Sequence, residues 1–157
     1  MTKPRYRFLI SLTVICCFLA PAYGQGQSDR ANLEGSWTLI KYKYGGDVEF
    51  SDVPGLVTYV KHLTKNHFSW ASYGERGELL TAGGGKYTFK DGKYREEIDY
   101  FHPLGSNLAG THIDFEYSVN GNNWHISGYG KNVQLNPGSG EFEEVDSVRL
   151  EEIWQRL

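Results

Sequence analysis

The sequence has little cysteine, and the position of that cysteine excludes several kinds of chemistry. The chain has two cysteines among its 157 residues, Cys16 and Cys17, and both fall in an apolar run near the N-terminus. If that run is a leader that is removed, the remaining chain has no disulfide, no thiol nucleophile and no thiolate metal ligand. We then expect stability to come from a packed core.

The N-terminal segment, residues 1–24, has the pattern of a secretory signal peptide. Three basic residues precede an apolar run from Phe8 to Ala20, and Ala22-Tyr23-Gly24 supplies small residues for cleavage. The run is too short to span a membrane. We expect a secreted or periplasmic protein with a flexible lead-in, residues 25–32, and one domain, residues 33–157. No membrane contact is expected after the leader is removed.

Positive charge is also scarce. Without residues 1–24 the chain has 13 Lys and Arg against 19 Asp and Glu, so its formal net charge is −6. No basic cluster occurs, which argues against nucleic acid as a partner. An anionic substrate would need a local positive site, because the net charge does not attract it.

Motifs of several enzyme classes are missing. The five histidines occur without H-x-H or H-E-x-x-H spacing, so we expect no metal and no cofactor, although histidines from separate strands can converge in a barrel. No G-x-S-x-G elbow of a serine hydrolase occurs. The run Gly83-Gly84-Gly85-Lys86 resembles a phosphate loop but lacks the helix that such a loop needs.

What the chain does contain is a series of short runs in which aromatic and polar residues alternate, most clearly from Asn66 to Phe101. Period-two alternation is typical of strands with one buried face. Asp91-Gly92 and Asn120-Gly121-Asn122 favour hairpins, and Asn136-Pro137-Gly138 indicates a further turn. The pattern predicts an all-β, antiparallel up-and-down barrel of about 8–10 strands.

The predicted strands are Ser36–Tyr44, Leu56–Leu63, His67–Tyr73, Leu79–Ala82, Lys86–Lys90, Lys93–Phe101, Thr111–Val119, Asn123–Tyr129 and a last run that ends at Leu157. The glycines between two of them predict a bulge, a sharp bend or a close backbone approach. Apolar spacing from Leu150 to Leu157 fits a helix better than a strand. We favour a strand there, with Leu150, Glu152, Trp154 and Arg156 on one face, because it closes the barrel.

Several short motifs occur in a fixed order along the chain. Gly35-Ser36-Trp37 opens the first strand, and Trp154-Gln155-Arg156 ends the last. Between them come His67-Phe68-Ser69-Trp70, Gly84-Gly85-Lys86-Tyr87, Tyr94-Arg95-Glu96 and the run Asn123 to Gly128. From about Leu33 to Leu157 the chain resembles small exported bacterial lipocalin-like proteins of the calycin type. The resemblance implies a short open-mouthed barrel in which the early tryptophan packs near the late arginine.

The resemblance also implies a function, because relatives occur beside polysaccharide-degrading systems. Such proteins are associated with dehydration of uronic acid ends of oligosaccharides, as in ulvan breakdown. A lyase of this kind needs a base that removes the proton beside the carboxylate and an acid that protonates the leaving hydroxyl. It also needs a group that stabilises the charge of the enolate-like intermediate. Histidine and tyrosine suit the proton transfers, and no cofactor is required.

Glu96 and Tyr100 are the first two candidate catalytic residues. They share a face of one predicted strand with Tyr94 and Ile98. On that aromatic face Glu96 is either a buried acid or the ion-pair partner of Arg156. Tyr100, near the strand end, is a candidate proton donor, although buried tyrosines commonly serve only as hydrogen-bond partners.

His125 is the candidate general base if Trp124 faces outward, since neighbouring residues of a strand point to opposite sides. If Trp124 fills the core, His125 is exposed and has no such role. Four further residues are candidates for substrate binding: His67, Trp70, Tyr73 and Arg156. The alternatives are a non-enzymatic binding protein for a small ligand or oligosaccharide, and a structural barrel filled by its own side chains.

Overall fold

The computed structural model describes residues 33–103, 108–135 and 142–157 of the chain. The predicted leader, the lead-in and the turn at Asn136-Pro137-Gly138 lie outside the described residues. No helix within the described ranges is long and apolar enough to cross a membrane. The described residues form nine strands: β1 Gly35–Tyr44, β2 Ser51–Asp52, β3 Val57–Leu63, β4 His67–Gly74, β5 Leu79–Lys90, β6 Lys93–His102, β7 His112–Asn120, β8 Asn123–Leu135 and β9 Phe142–Arg156.

The strands pair antiparallel in chain order, and β1 also pairs with β9. That last pairing closes a barrel of eight strands, with the short β2 added beside β1. The prediction of an all-β, antiparallel up-and-down barrel is confirmed. The predicted strand over the last residues is also confirmed, because β9 continues to Arg156 and leaves no helix there.

Two tight turns confirm the predicted hairpins. Asp91 and Gly92 both have positive φ, 53° and 76°, which is the geometry of a type I′ turn between β5 and β6. Gly121 has a φ of 59° in the turn that joins β7 to β8. These positions hold the registers that place alternate residues of each strand inside the barrel.

A register shift in β1 changes which of its residues face inward. The pairing with β9 slips between Leu39 and Lys41, so one residue is extra on β1. Before the shift Trp37 and Leu39 are buried, and after it Tyr42 packs against the core. The shift therefore moves the inward positions of β1 from odd to even residue numbers.

A second shift lies in β6 opposite the glycines of β5. Gly85 pairs with Ile98 and Gly84 pairs with Tyr100, which leaves Asp99 as the extra residue. Beyond it Phe101 takes the inward position, with its ring centroid 5.7 Å from that of Trp70. The prediction that Tyr100 shares a face with Glu96 is therefore wrong, because the bulge reverses the alternation between them.

One end of the barrel is filled by aromatic side chains. Trp37, Tyr94 and Trp124 are fully buried, and their ring centroids lie 5.4 Å (Trp37 to Trp124) and 5.2 Å (Tyr94 to Trp124) apart. Such pairs add about 0.5–1.5 kcal/mol to the free energy gained from area alone. The buried core also contains Leu33, Leu39, Leu63, Phe68, Tyr87, Ile98, Phe115, Ile126 and Trp154.

Arg156 covers this closed end. Its guanidinium carbon lies 4.2 Å from the ring centroid of Trp37, which is within cation–π range, and its Nη1 donates to the carbonyl of Glu34 at 2.8 Å. The predicted packing of the early tryptophan against the late arginine is confirmed. These contacts place Arg156 at the closed end of the barrel.

The glycine run Gly83 to Gly85 lies inside a continuous β5, so the predicted break in this strand is wrong. The predicted close approach is confirmed, because neighbouring groups occupy the space that side chains would need. The Trp70 indole lies against Gly83, the Tyr100 phenol against Gly84, and the carbonyl oxygen of Glu97 against Gly85. These three positions require glycine, because Trp70 and the bulged β6 leave no space for a side chain.

We predict that Gly85→Ala lowers the free energy of unfolding by at least roughly 1–3 kcal/mol, because a methyl group would overlap the Glu97 carbonyl and force β5 and β6 apart. Gly46→Ala is the matched control, since no atom lies within 4 Å of its added methyl. Urea unfolding followed by tryptophan fluorescence measures both. Equal stability of the two variants would contradict the crowding at Gly85.

Candidate ligand-binding site

A cavity of about 210 Å³ lies inside the barrel beyond the aromatic core. Its walls come from seven strands and combine aromatic rings with charged and hydroxyl groups: Tyr44, Tyr59, Lys61, Trp70, Thr81, Glu96, Phe115, Glu152 and Trp154. Lys61, Glu96 and Phe115 are buried, whereas Tyr44, Tyr59 and Thr81 are partly exposed. The cavity therefore has a deep charged end and an end that reaches solvent.

Lys61 and Glu96 form an ion pair at the deep end. Lys61 Nζ lies 2.7 Å from Glu96 Oε1, and the two side chains are only 4% and 5% exposed. Tyr94 donates a second hydrogen bond to the same oxygen at 2.8 Å. Lys61 Nζ also lies 4.9 Å from the ring centroid of Trp154, so its charge is stabilised by an aromatic face as well.

Glu152 is the second carboxylate in the cavity. Its Oε1 accepts a hydrogen bond from the Tyr44 hydroxyl at 2.7 Å, and its Oε2 accepts one from Trp154 Nε1 at 2.9 Å. Both donors are neutral groups. Within the ranges that the structure describes, no Lys, Arg or His makes a salt bridge with Glu152. The two carboxylates are therefore held in different ways.

The tyrosines around the cavity are held in their neutral form. Burial raises the pKa of Tyr44 far above its usual value, and the nearby charge of Glu152 raises it further. Burial also raises the pKa of Tyr59, with smaller contributions from Tyr42 and Glu152. The pKa of buried Tyr94 is raised by burial and by Glu96. These phenols are therefore stable hydrogen-bond donors and weaker acids than tyrosine in water.

A neighbouring cavity of about 280 Å³ shares Tyr44 and Tyr59 with the first and is otherwise lined by Leu39, Tyr42, Pro54 and Val57. One of its lining residues, Pro54, belongs to the segment that joins β2 to β3. Tyr44 and Tyr59 thus form a common wall between a polar cavity and a mainly apolar one.

The structure does not bring the three predicted catalytic residues together. Glu96 lies in the cavity as predicted, but its cation is Lys61 rather than Arg156. Tyr100 is 52% exposed and lies outside, because of the bulge at Asp99. His125 also lies outside, because Trp124 is fully buried in the core. His125 was a candidate base only if Trp124 faced outward, and that orientation is wrong.

His125 belongs to a cluster on the outer face of β1, β8 and β9. Its Nε2 lies 3.9 Å from Glu151 Oε2, and its ring packs edge-on against Phe50 at 5.9 Å between centroids. Glu151 pairs with Lys43 Nζ at 2.9 Å and with Arg149 Nη2 at 2.8 Å, and Lys43 lowers the pKa of Glu151. This cluster connects three strands and the segment that contains Phe50.

The four predicted substrate-binding residues also lie partly inside and partly outside the cavity. Trp70 lines the cavity, so the structure places it where stacking on a ligand is possible. His67 lies outside, with its Nδ1 2.8 Å from Asn66 Oδ1, and Tyr73 is 36% exposed on the same outer face. Arg156 covers Trp37 at the closed end. Only Trp70 joins Glu96 at the cavity.

His67 and Tyr100 meet in a separate outer groove of about 260 Å³, which is also lined by His62, Thr64, Phe68, Ser69, Gly85 and Asp99. His62 Nδ1 is 2.9 Å from Ser36 Oγ, so this histidine already has a hydrogen-bond partner. Across the described ranges, no three His, Cys, Asp or Glu side chains are grouped as ligands for a metal ion.

Sequence reasoning missed Lys61, Tyr44, Tyr59 and Glu152 as cavity residues. Glu152 was predicted to share a strand face with Trp154, but neither its inward direction nor a role followed from that. Lys61 alternates with Tyr59 and Leu63, and a lysine between two apolar inward positions was the available signal. Tyr44 reaches the cavity only because of the bulge in β1, which has no marker in the sequence.

Comparison with solved structures finds chains of similar architecture. No family model and no curated protein matches the chain. A solved structure of a lipocalin-like protein from Bacteroides uniformis is similar, with 15% sequence identity and a TM-score of 0.49 over 80% of this chain and 99% of that one. The closed antiparallel barrel described above itself fits a lipocalin-like fold.

We predict that Lys61→Met lowers the free energy of unfolding by about 3–5 kcal/mol, because it leaves Glu96 buried without a cation. The double variant Lys61→Met/Glu96→Gln should recover much of that loss, since it removes the buried charge. Chemical unfolding of these two variants and of the single variant Glu96→Gln measures the coupling. Lys93→Met is the control, because Lys93 pairs with Glu116 at the surface and should change stability little. Additive losses at Lys61 and Glu96 would contradict a coupled pair.

Proposed function

We propose that this chain is a binding protein that holds one small polar molecule inside the barrel without transforming it. The observation that carries this proposal is the cavity of about 210 Å³, in which aromatic rings surround two fixed carboxylates. Small-molecule sites commonly have this composition, with mainly aromatic or apolar walls and a few convergent polar groups that orient the ligand. Secretion, predicted from residues 1–24, is part of the same proposal.

The hydrogen bonds of the cavity support binding because they hold the polar groups in place before a ligand arrives. Glu96 is held by Lys61 and Tyr94, and Glu152 is held by Tyr44 and Trp154. A site whose side chains are already ordered loses less conformational entropy when the ligand binds. The partly exposed residues at the outer end supply a route of entry.

The size of the cavity restricts the occupant. Pockets for drug-sized ligands have volumes of roughly 300–1,000 Å³, and this cavity is smaller. An oligosaccharide does not fit within it, so any sugar that binds there would enter as a single residue or as one chain end.

Dehydration of a uronic acid end is less well supported by the geometry. A general acid or base works best with a pKa near the working pH, whereas Tyr44, Tyr59 and Tyr94 have raised pKa values. Lys61, the cation of the cavity, is already paired with Glu96. Loss of one water from uronic acid oligosaccharides, detected by mass spectrometry and abolished by Glu96→Gln, would overturn a role restricted to binding.

We predict that Thr81→Phe abolishes binding of small ligands, because the added ring would occupy the cavity that Thr81 lines. The probes are a panel of neutral sugars, polyols and small amines, followed by saturation-transfer NMR. Thr88→Phe is the matched control, since Thr88 lies on the same strand between the inward residues Tyr87 and Phe89 and so faces out.

Circular dichroism verifies that both variants keep the barrel. Binding by the wild type and by Thr88→Phe, with none by Thr81→Phe, is the expected result. Absence of binding to the wild type across the panel, or equal binding by all three proteins, would contradict an interior binding site.

A further inference from the structure

The two carboxylates of the cavity differ in whether their charge is compensated. Glu96 has a cation, Lys61, at 2.7 Å. Among the residues that the structure describes, Glu152 is contacted by the neutral donors Tyr44 and Trp154, at 2.7 and 2.9 Å, and by no cation. Counting formal charges, the cavity lining has one positive and two negative groups, so a charge of −1 remains on the side of Glu152.

An uncompensated carboxylate in a partly buried site favours a positive ligand. Electrostatic attraction is stronger at such a site than at the surface, because fewer water molecules screen it. An anionic ligand would be repelled by Glu152, and Lys61 could not easily attract it because Lys61 is already paired with Glu96. The charge distribution therefore selects against carboxylates and phosphates and in favour of cations.

The aromatic walls point to the same class of ligand. Tyr44, Tyr59, Trp70 and Trp154 line the cavity together with Glu152. Organic cations are attracted to the faces of such rings, most strongly to tryptophan. The chain itself places a cation on one of these rings, since Lys61 Nζ lies 4.9 Å from the Trp154 centroid. The walls thus suit a positive group with an apolar surface.

We propose that the cavity binds a small organic cation, an ammonium compound whose charged group lies beside Glu152 and against the rings of Tyr44, Tyr59, Trp70 and Trp154. This assignment rests on the proposed binding function and names the class of ligand. Glu152 supplies the counter-charge, and the hydrogen bonds from Tyr44 and Trp154 orient its two oxygens. The cavity volume limits the ligand to a small ammonium compound.

Two isosteric pairs of probes test the assignment. Choline is compared with dimethylbutanol, its neutral carbon isostere, and butylammonium is compared with butanol. Binding is followed by the fluorescence of the cavity tryptophans, Trp70 and Trp154, and by calorimetry. We expect at least one cation to bind the wild-type protein ten-fold or more tightly than its neutral isostere, because aromatic faces attract a desolvated cation and leave a neutral group without that attraction.

The variant Glu152→Gln keeps the shape of the side chain and removes its charge. It should weaken binding of the cation about ten-fold or more and leave binding of the neutral isostere unchanged. Glu97→Gln removes one negative charge from an exposed position on β6 and should leave both affinities unchanged. Circular dichroism and unfolding curves verify that Glu152→Gln is folded.

The outcomes separate this inference from the function on which it rests. If neutral members of the sugar and polyol panel bind in the cavity but neither cation does, the assignment of a cationic ligand is wrong and the binding function stands. If cation and isostere bind equally, or if Glu152→Gln binds the cation as well as the wild type does, the assignment is also wrong. If no probe of any kind binds, both proposals fail.

Discussion

A lysine and a glutamate that water hardly reaches face each other inside this barrel, and the arrangement of the cavity depends on that pair. Removing two charges from water is unfavourable unless their attraction and further hydrogen bonds compensate for it. Here Tyr94 donates to Glu96, and the Trp154 ring stabilises Lys61. The pair joins β3 to β6 across the interior. It separates an aromatic core, which closes one end, from a polar space that stays open.

The pair also determines the charge that remains for a ligand. Lys61 is held by Glu96, whereas the second carboxylate, Glu152, accepts hydrogen bonds from a phenol and an indole and has no cation beside it among the described residues. A lipocalin-like barrel with only apolar walls would suit a lipid. These walls instead combine rings with a directed carboxylate, so the proposed recognition of a ligand would depend on charge as well as on shape. Binding at Glu152 would complete a second ion pair beside the first.

Much of the fold could be predicted from the sequence, because period-two alternation and turns such as Asp91-Gly92 depend on local residue types. The site was harder to predict for a physical reason. Each bulge reverses the alternation beyond it, and neither the extra residue in β1 nor Asp99 has a marker on its own strand. The bulge at Asp99 turned Tyr100 outward. The inward lysine was missed because lysines in alternating strands usually face solvent, and only a partner on another strand, Glu96, reveals the exception.

The most direct test of this account is a crystal structure of the protein with a bound ammonium compound such as choline. We expect density for the cation inside the barrel, in hydrogen-bond or ion-pair contact with Glu152 and within roughly 6 Å of the ring centroids of Tyr44, Tyr59, Trp70 or Trp154. The Lys61–Glu96 pair should remain intact beside it. A cation bound only in the outer groove of His62, His67 and Tyr100, or a cation that displaces Lys61 from Glu96, would contradict the account.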